Sequence, residues 1–412
     1  MSTVIQRRGG TAAQHAAFTG AAREATVDTT DWRLVVHDGS TAGGHPVAKE
    51  GEVLKHDVEQ ALSDAAKLQA RKNIGADRNV RNRLMNSAGI YNQRGGTTTI
   101  NITAGNSAYV FDRFYVTNNT NQTVAVSRNL LTLGSGFGPG GERFTMRYAF
   151  SVAPTTGTLR IAQQIEDVTS IPAGDWTLTA WMLGPSGAET LAAEAVQHFG
   201  TGGSPSSDVT TAMAFAGDSP TTIYDASTNR RCWGVTVPSM SAKVLGTDYN
   251  DYLEAAIVMT PRQTGNYDLT WLSFVDGDAT WEYDPNRHYD KVDDLSQCQR
   301  FFRKSYEPGT VPGTTADPSV LEIVSAQSGS GTGTRSSAKL ELHLNPVMRT
   351  SPTVVPYSYN TGAANKIYNA SLASDVNAET GTTSSKLFIR PVDAVTDGHR
   401  FFYQFTANAE FN

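Results

Sequence analysis

Cysteine is nearly missing from this chain. Two thiols in 412 residues, Cys232 and Cys298, are too few for a disulfide framework or a thiolate metal cage, and both are expected to be free and buried. Charge is scarce too: Asp, Glu, Lys and Arg make up 18% of the residues and leave a net charge of −6, so no basic surface is available to neutralise phosphates. Nucleic acid and anionic lipid are therefore not expected as partners. No apolar run approaches the ~18 residues that a membrane-crossing helix needs, and residues 1–10 carry no apolar segment behind their positive charges. Neither membrane insertion nor a signal peptide is expected, and the chain reads as made in a cytoplasm. The glycine-rich stretch 134–141 contains Pro139 and precedes no helical pattern, so it is a loop between strands and not a phosphate cradle.

What is abundant is turn and strand chemistry. Glycine occurs 37 times, and Thr, Ser and Asn stand where Lys and Glu would be common, which predicts a mainly β protein rich in turns. The length exceeds what one hydrophobic core sustains, so serial folded units are expected. Period-two segments bounded by Gly, Pro, Asn or Asp recur at 98–102, 123–126, 144–148, 159–161, 176–181 and 267–271, the pattern of a β-sandwich or jelly roll over 84–290. A short helix leading into strand at 292–302 opens a smaller C-terminal β-sandwich over 291–412, which contains a Gly/Ser/Thr-rich loop at 325–337.

Residues 1–50 alternate short apolar pieces with turn residues, and Asp38-Gly39 after the run 32–37 predicts a hairpin. This module is too small to bury a core alone, which points to attachment or pairing. Between 51 and 83 the period becomes helical: Leu54, Val58, Ala61, Ala65 and Leu68 step by four, three, four and three. That spacing suits a trimerising coiled-coil seam or an amphipathic helix packed on its own domain.

Several blocks resemble known phage proteins. Val4-Ile5-Gln6-Arg7-Arg8-Gly9-Gly10-Thr11-Ala12 with Leu34-Val35-Val36-His37-Asp38-Gly39 is similar to the N-terminal module of phage tail fibre and tropism-determinant proteins. Leu62-Ser63-Asp64-Ala65-Ala66-Lys67-Leu68-Gln69-Ala70-Arg71-Lys72-Asn73-Ile74-Gly75-Ala76 resembles a helical linker of tail fibres. Met85-Asn86-Ser87, Gln93-Arg94-Gly95, Phe111-Asp112-Arg113 and Gln297-Cys298-Gln299-Arg300-Phe301-Phe302 resemble a phage tail jelly roll akin to carbohydrate-binding modules. In that family arginine precedes the proline of the block matched by Trp281-Glu282-Tyr283-Asp284-Pro285, and Asp284 replaces it here. Asn345-Pro346-Val347-Met348-Arg349 and Ala407-Asn408-Ala409-Glu410-Phe411 resemble the terminal sandwich of the same proteins. The resemblance implies a homotrimeric fibre in the virion tail. It would join other tail or baseplate proteins through the N-terminus, and its distal parts would recognise a host cell-surface glycan or protein.

A glycan site needs an aromatic face beside amides and carboxylates. Trp176, Trp181 and Trp271 alternate with leucines and are expected in the core. Tyr224 and Trp233, Tyr249 and Tyr252, and in the C-terminal unit Tyr357, Tyr359, Asn360 and Tyr368 are the candidate stacking residues; ordinary surface loops and trimer packing are the alternatives. Acid catalysis would need a carboxylate pair, and neither Glu166 with Asp167 nor the acidic run Asp276, Asp278, Glu282, Asp284 and Asp290 shows a pairing signature. That run offers oxygen ligands for a calcium ion without calcium-loop spacing, and the eight histidines show no ligand spacing. No enzyme and no cofactor are expected. The other readings are a head fibre or tail adaptor without its own receptor, and a polysaccharide-cleaving tail enzyme.

Overall fold

The computed structural model describes residues 7–48, 82–96, 98–131, 144–185, 190–215, 230–277, 291–315, 317–325, 340–392 and 398–411. The helical seam Leu54, Val58, Ala61, Ala65 and Leu68, the linker 70–76, Tyr224, the glycine-rich stretch 134–141 and residues 278–290 of the acidic run lie outside them. Two compact units result, Met1–Asn79 and Val80–Asn412.

In the first unit β1 (Gly9–Gly10) runs parallel to β2 (Ala25–Asp28), which pairs antiparallel with β3 (Arg33–Val36), and β3 with β4 (His45–Pro46). The expected hairpin is present, but residues 37–44 connect its strands. Asp38 accepts hydrogen bonds from the amides of Ser40 (2.9 Å) and Thr41 (2.7 Å), which folds that connection back. A one-turn helix α1 (Ala12–Ala16) was not expected. Its signal is the Thr11-x-x-Gln14 capping box, with Gln14 N donating to Thr11 Oγ1 (3.3 Å) and Thr11 N donating to Gln14 Oε1 (2.8 Å).

Of the apolar side chains described in this unit only Val35 is buried, and a polar chain fills the interior. Gly20 N donates to His37 Nδ1 (3.3 Å), His37 Nε2 to Thr26 Oγ1 (2.9 Å), the Thr26 hydroxyl to His15 Nε2 (2.7 Å), and His15 Nδ1 to the Thr11 carbonyl (3.2 Å). The amide at one end can only donate and the carbonyl at the other can only accept, so both imidazole tautomers follow. All three side chains are buried, and the rings stack 6.2 Å apart.

The second unit begins with a 12-stranded antiparallel sheet. Its strands are β5 (Ile100–Ile102), β6 (Asn106–Tyr109), β7 (Phe114–Asn118), β8 (Val124–Leu130), β9 (Phe144–Phe150) and β10 (Leu159–Glu166). They continue with β11 (Gly174–Leu183), β12 (Thr190–His198), β13 (Val209–Phe215), β14 (Arg230–Val237), β15 (Tyr252–Thr260) and β16 (Gly265–Asp276). The spatial order β5-β8-β9-β16-β11-β14-β13-β12-β15-β10-β7-β6 folds into two layers around one core. β13 belongs to both layers: its residues 209–213 pair with β12, and Ala214 and Phe215 pair with β14. Trp176 stacks on Phe274 at 4.9 Å inside, and Trp176 and Trp181 are buried as expected from their alternation with apolar neighbours.

Helix α2 (Lys291–Gln299) leads into β17 (Phe302–Lys304). There follow β18 (Leu321–Val324), β19 (Leu340–His343), β20 (Thr353–Ser358), β21 (Lys366–Asn369), β22 (Ser374–Thr382), β23 (Lys386–Pro391) and β24 (Arg400–Asn408). β24 is the axis: β17 and β18 pair along one edge, β20 and β21 along the other. β22 pairs first with β21 and then with β23, turning the chain into a second layer completed by β19. Phe401, Tyr403, Phe405 and Ala407 point into the core between them.

The two sandwiches share a buried polar joint. Gln93 donates from its amide (3.0 Å) and side chain (2.7 Å) to the Asp112 carboxylate, and from Nε2 to the Phe302 carbonyl (3.2 Å). Lys304 Nζ donates to the carbonyls of Gln93 (2.8 Å), Pro308 (3.0 Å) and Thr310 (2.5 Å). Asn86 N donates to Asp294 on α2 (2.7 Å). Burial pushes the Asp112 carboxyl and the Cys298 thiol upward; both cysteines are buried and neither is in a disulfide.

Candidate functional site

Alternation along β24 creates the site. Because Phe401, Tyr403 and Phe405 fill the core, Phe402 must face outward. Glu322 on β18, Phe402 on β24, Tyr368 on β21 and Asp375 on β22 are successive direct partners, so one row crosses four strands on a single face. The Tyr359 ring lies 6.0 Å from that of Phe402, and the Arg400 guanidinium sits 5.2 Å over the same ring. Tyr359, Tyr368 and Phe402 are each half-buried, one face against the sheet and its neighbours and part of the ring open to solvent. Val324, the register partner of Arg400, extends the patch and is 54% exposed.

Polar groups around the row are engaged internally. Arg400 Nε donates to Glu322 at 2.5 Å, and this hydrogen bond holds the Glu322 carboxyl below its usual range. Asp375 accepts from the hydroxyls of Ser358 (2.5 Å) and Thr361, while Ser358 Oγ in turn accepts from the amides of Asn360 and Thr361 (3.2 Å each). These contacts fix the turn that carries Tyr359 and exposed Asn360. The result is an aromatic platform whose charged neighbours are hydrogen-bonded within the chain, with an amide at its rim. Such a surface stacks on the apolar face of a sugar ring or of another apolar ligand.

Tyr359 and its neighbour Asn360 are thus brought to the face that carries Tyr368, which lies apart from them in sequence. Phe402, Arg400 and Glu322 were not singled out beforehand; the readable signal was the alternation 401/403/405 of large apolar residues. Tyr357 lies further along and stands edge-on to Tyr306 at 6.1 Å. Trp233 is fully buried on β14, 5.3 Å from Phe215, and offers no face to a ligand. Tyr252 packs between His198 (4.2 Å) and Phe411 (4.7 Å), and burial pushes its hydroxyl up to about 12. Tyr249 projects at 88% exposure with a φ of 52°. Its loop is held by bonds from Thr201 N to Asn250 Oδ1 (2.8 Å), Thr201 Oγ1 to Asp248 (2.8 Å) and Gly246 N to the Phe199 carbonyl (2.7 Å).

Glu166 and Asp167, weighed for catalysis, are otherwise occupied. Glu166 accepts from Arg300 (2.9 Å), and Asp167 caps a 3-10 turn through the amide of Thr169 (2.9 Å). Arg160 bridges Glu194 (2.7 Å) and Glu254 (2.6 Å) on the outer face of the jelly roll. Among the described residues no group of three or more His, Cys, Asp or Glu is placed to hold a metal ion, and no helix is long and apolar enough to cross a membrane.

Residues 5–41 match the family described as the major tropism determinant N-terminal domain. Over 49 residues the chain is 69% identical to the tail fiber receptor-binding protein of Bordetella phage BPP-1, covering 12% of this chain and 13% of that relative. Among solved structures, the major tropism determinant I1 variant matches 32% of this chain and 27% of its own at 35% identity, with a TM-score of 0.12. TmCBM61, solved in complex with beta-1,4-galactotriose, matches 47% of this chain and 97% of its own at 12% identity, with a TM-score of 0.25. Superpositions this loose carry no weight for fold or ligand.

Proposed function

We propose, from the premise that residues 5–41 belong to the major tropism determinant N-terminal domain family, that this chain is a receptor-binding tail or fibre protein of a tailed bacteriophage. The N-terminal module attaches it to the virion through other tail or baseplate proteins. The chain works as a homotrimer joined through the seam Leu54, Val58, Ala61, Ala65 and Leu68. The aromatic row of Phe402, Tyr368 and Tyr359 meets the host surface, through a glycan whose ring stacks on it.

The observation that carries this reading is the row itself: three half-buried rings on one sheet face, with Arg400 paired to Glu322 at the surface and Asp375 held by two hydroxyls. A platform of this kind binds without needing to do chemistry, and the surrounding carboxylates are held by arginine or hydroxyl partners and not poised as an acid and base pair. Affinity per site would be modest, and three copies on one fibre would supply avidity through effective concentration.

Purified chain is expected to bind cells that the phage infects and to block adsorption of the phage, with the pair Tyr368→Ala and Phe402→Ala losing about tenfold or more in binding. Wild-type chain that binds no cells and blocks no adsorption would favour a head fibre or tail adaptor. Release of reducing ends from host polysaccharide would overturn the non-enzymatic reading.

A further inference from the structure

The strand ladder of β24 stops at Asn408, yet the next three residues remain fixed in every polar backbone group described for them. Ala409 N donates to the Phe301 carbonyl (2.7 Å), and Glu410 N to Asn408 Oδ1 (3.2 Å). The carbonyls of Ala409 and Glu410 accept from Arg349 Nε (2.9 Å) and Nη2 (3.1 Å), and that of Phe411 accepts from the Tyr109 hydroxyl (3.1 Å). Apart from the Ala409 amide, which meets a main-chain carbonyl, side chains read this main chain.

The two following side chains are read as well. The Glu410 carboxylate, 3% exposed, accepts from Arg94 Nη2 (3.2 Å) and from Arg113. Each arginine is itself positioned by an aromatic face, Arg94 at 3.9 Å over Phe302 and Arg113 at 3.4 Å over Phe301. The Phe411 ring lies under the Arg349 guanidinium at 4.0 Å and beside Tyr252 at 4.7 Å. A carboxylate fork and an adjacent aromatic slot, both preformed by residues from two sandwiches, make a peptide-recognition geometry.

We propose that Arg94, Arg113, Arg349, Tyr109 and Tyr252 form a peptide-binding site for an extended segment with glutamate followed by an aromatic residue, and that Ala409–Glu410–Phe411 is its resident ligand. The site is separable from its ligand. A peptide of the same sequence supplied from outside binds whenever the resident segment is disabled, and is kept out when the resident segment is intact, because the tethered copy acts at millimolar effective concentration.

The test uses full-length chain carrying Glu410→Ala with Phe411→Ala, and a fluorescein-labelled peptide of sequence Asn-Ala-Glu-Phe with a blocked end, followed by anisotropy and by thermal unfolding. Peptide is expected to bind the variant and raise its unfolding temperature. Wild-type chain is expected to bind at least about a hundredfold more weakly, and a peptide with Gln for Glu about tenfold more weakly. If the double substitution folds poorly, Glu410→Gln with Phe411→Ala, which keeps the length of the resident segment and removes its carboxylate, is used in its place and read the same way. A peptide that neither binds nor stabilises either variant, or that binds wild type equally well, overturns the proposal.

Discussion

Asp38 shows how one side chain sets a connection. The amides of Thr41 and Ser40, then the Thr41 hydroxyl (2.7 Å) and His45 (3.2 Å), all favour its charged form and hold its carboxyl far below the usual range. A carboxyl depressed in the folded state contributes stability that is present above its unfolded value near 4 and is lost as pH falls through that range toward the folded value. Amides of residues 37–46 are expected to lose hydrogen-exchange protection on acidification below about pH 4, and Asp38→Asn is expected to make that protection less dependent on pH. Lys304 illustrates a cost of a different kind. Its ammonium serves three carbonyls at 7% exposure, so Lys304→Met should cost about 3 kcal/mol in a denaturant titration. Neither role was readable beforehand. An aspartate before glycine announces a turn, but a lysine between Arg303 and Ser305 announces nothing until the strands that surround it are known.

Among the elements, those with clear alternation were legible: the six representative strand segments all coincide with β-strands of the jelly roll, and helix α2 leads into strand as the pattern at 292–302 predicts. The failures share a cause, which is that polar residues do structural work inside. Trp233 was weighed as a stacking residue on a loop, whereas it lies on the core strand Arg230–Val237, where Arg231 is 0% exposed. Helix α1 was missed because five residues carry no period, although their capping box was written in Thr11 and Gln14. The chain from Gly20 through His37, Thr26 and His15 to Thr11 ties α1, β2 and the end of β3 together. Thr26→Val removes its middle link and strands two buried imidazole nitrogens, for an expected loss of about 2–4 kcal/mol by thermal or chemical unfolding of the N-terminal unit.

For the whole molecule, the recognition row was half legible. Tyrosines and an asparagine close together suggest a surface, so Tyr359, Asn360 and Tyr368 stood out; Glu322, Asp375 and Phe402 join them only through register across four strands, which no local pattern encodes. The joint residues Gln93, Arg94, Asp112 and Arg113 stood out as motif blocks, and they tie the two sandwiches together, Arg94 and Arg113 through the Glu410 carboxylate. Assembly is a separate matter: sedimentation at micromolar concentration is expected to give three times the chain mass of 44.3 kDa, and a species at the single-chain mass would refute the trimer. One feature of the jelly roll bears on its response to a pulling force. Since β13 is hydrogen-bonded into both layers, the layers are a single strip folded over, with β5 and β6 at its ends joined through residues 103–105. Prising the layers apart therefore means tearing backbone hydrogen bonds along a seam as well as wetting a core, which makes this part of the chain resist traction better than two sheets held by side chains alone.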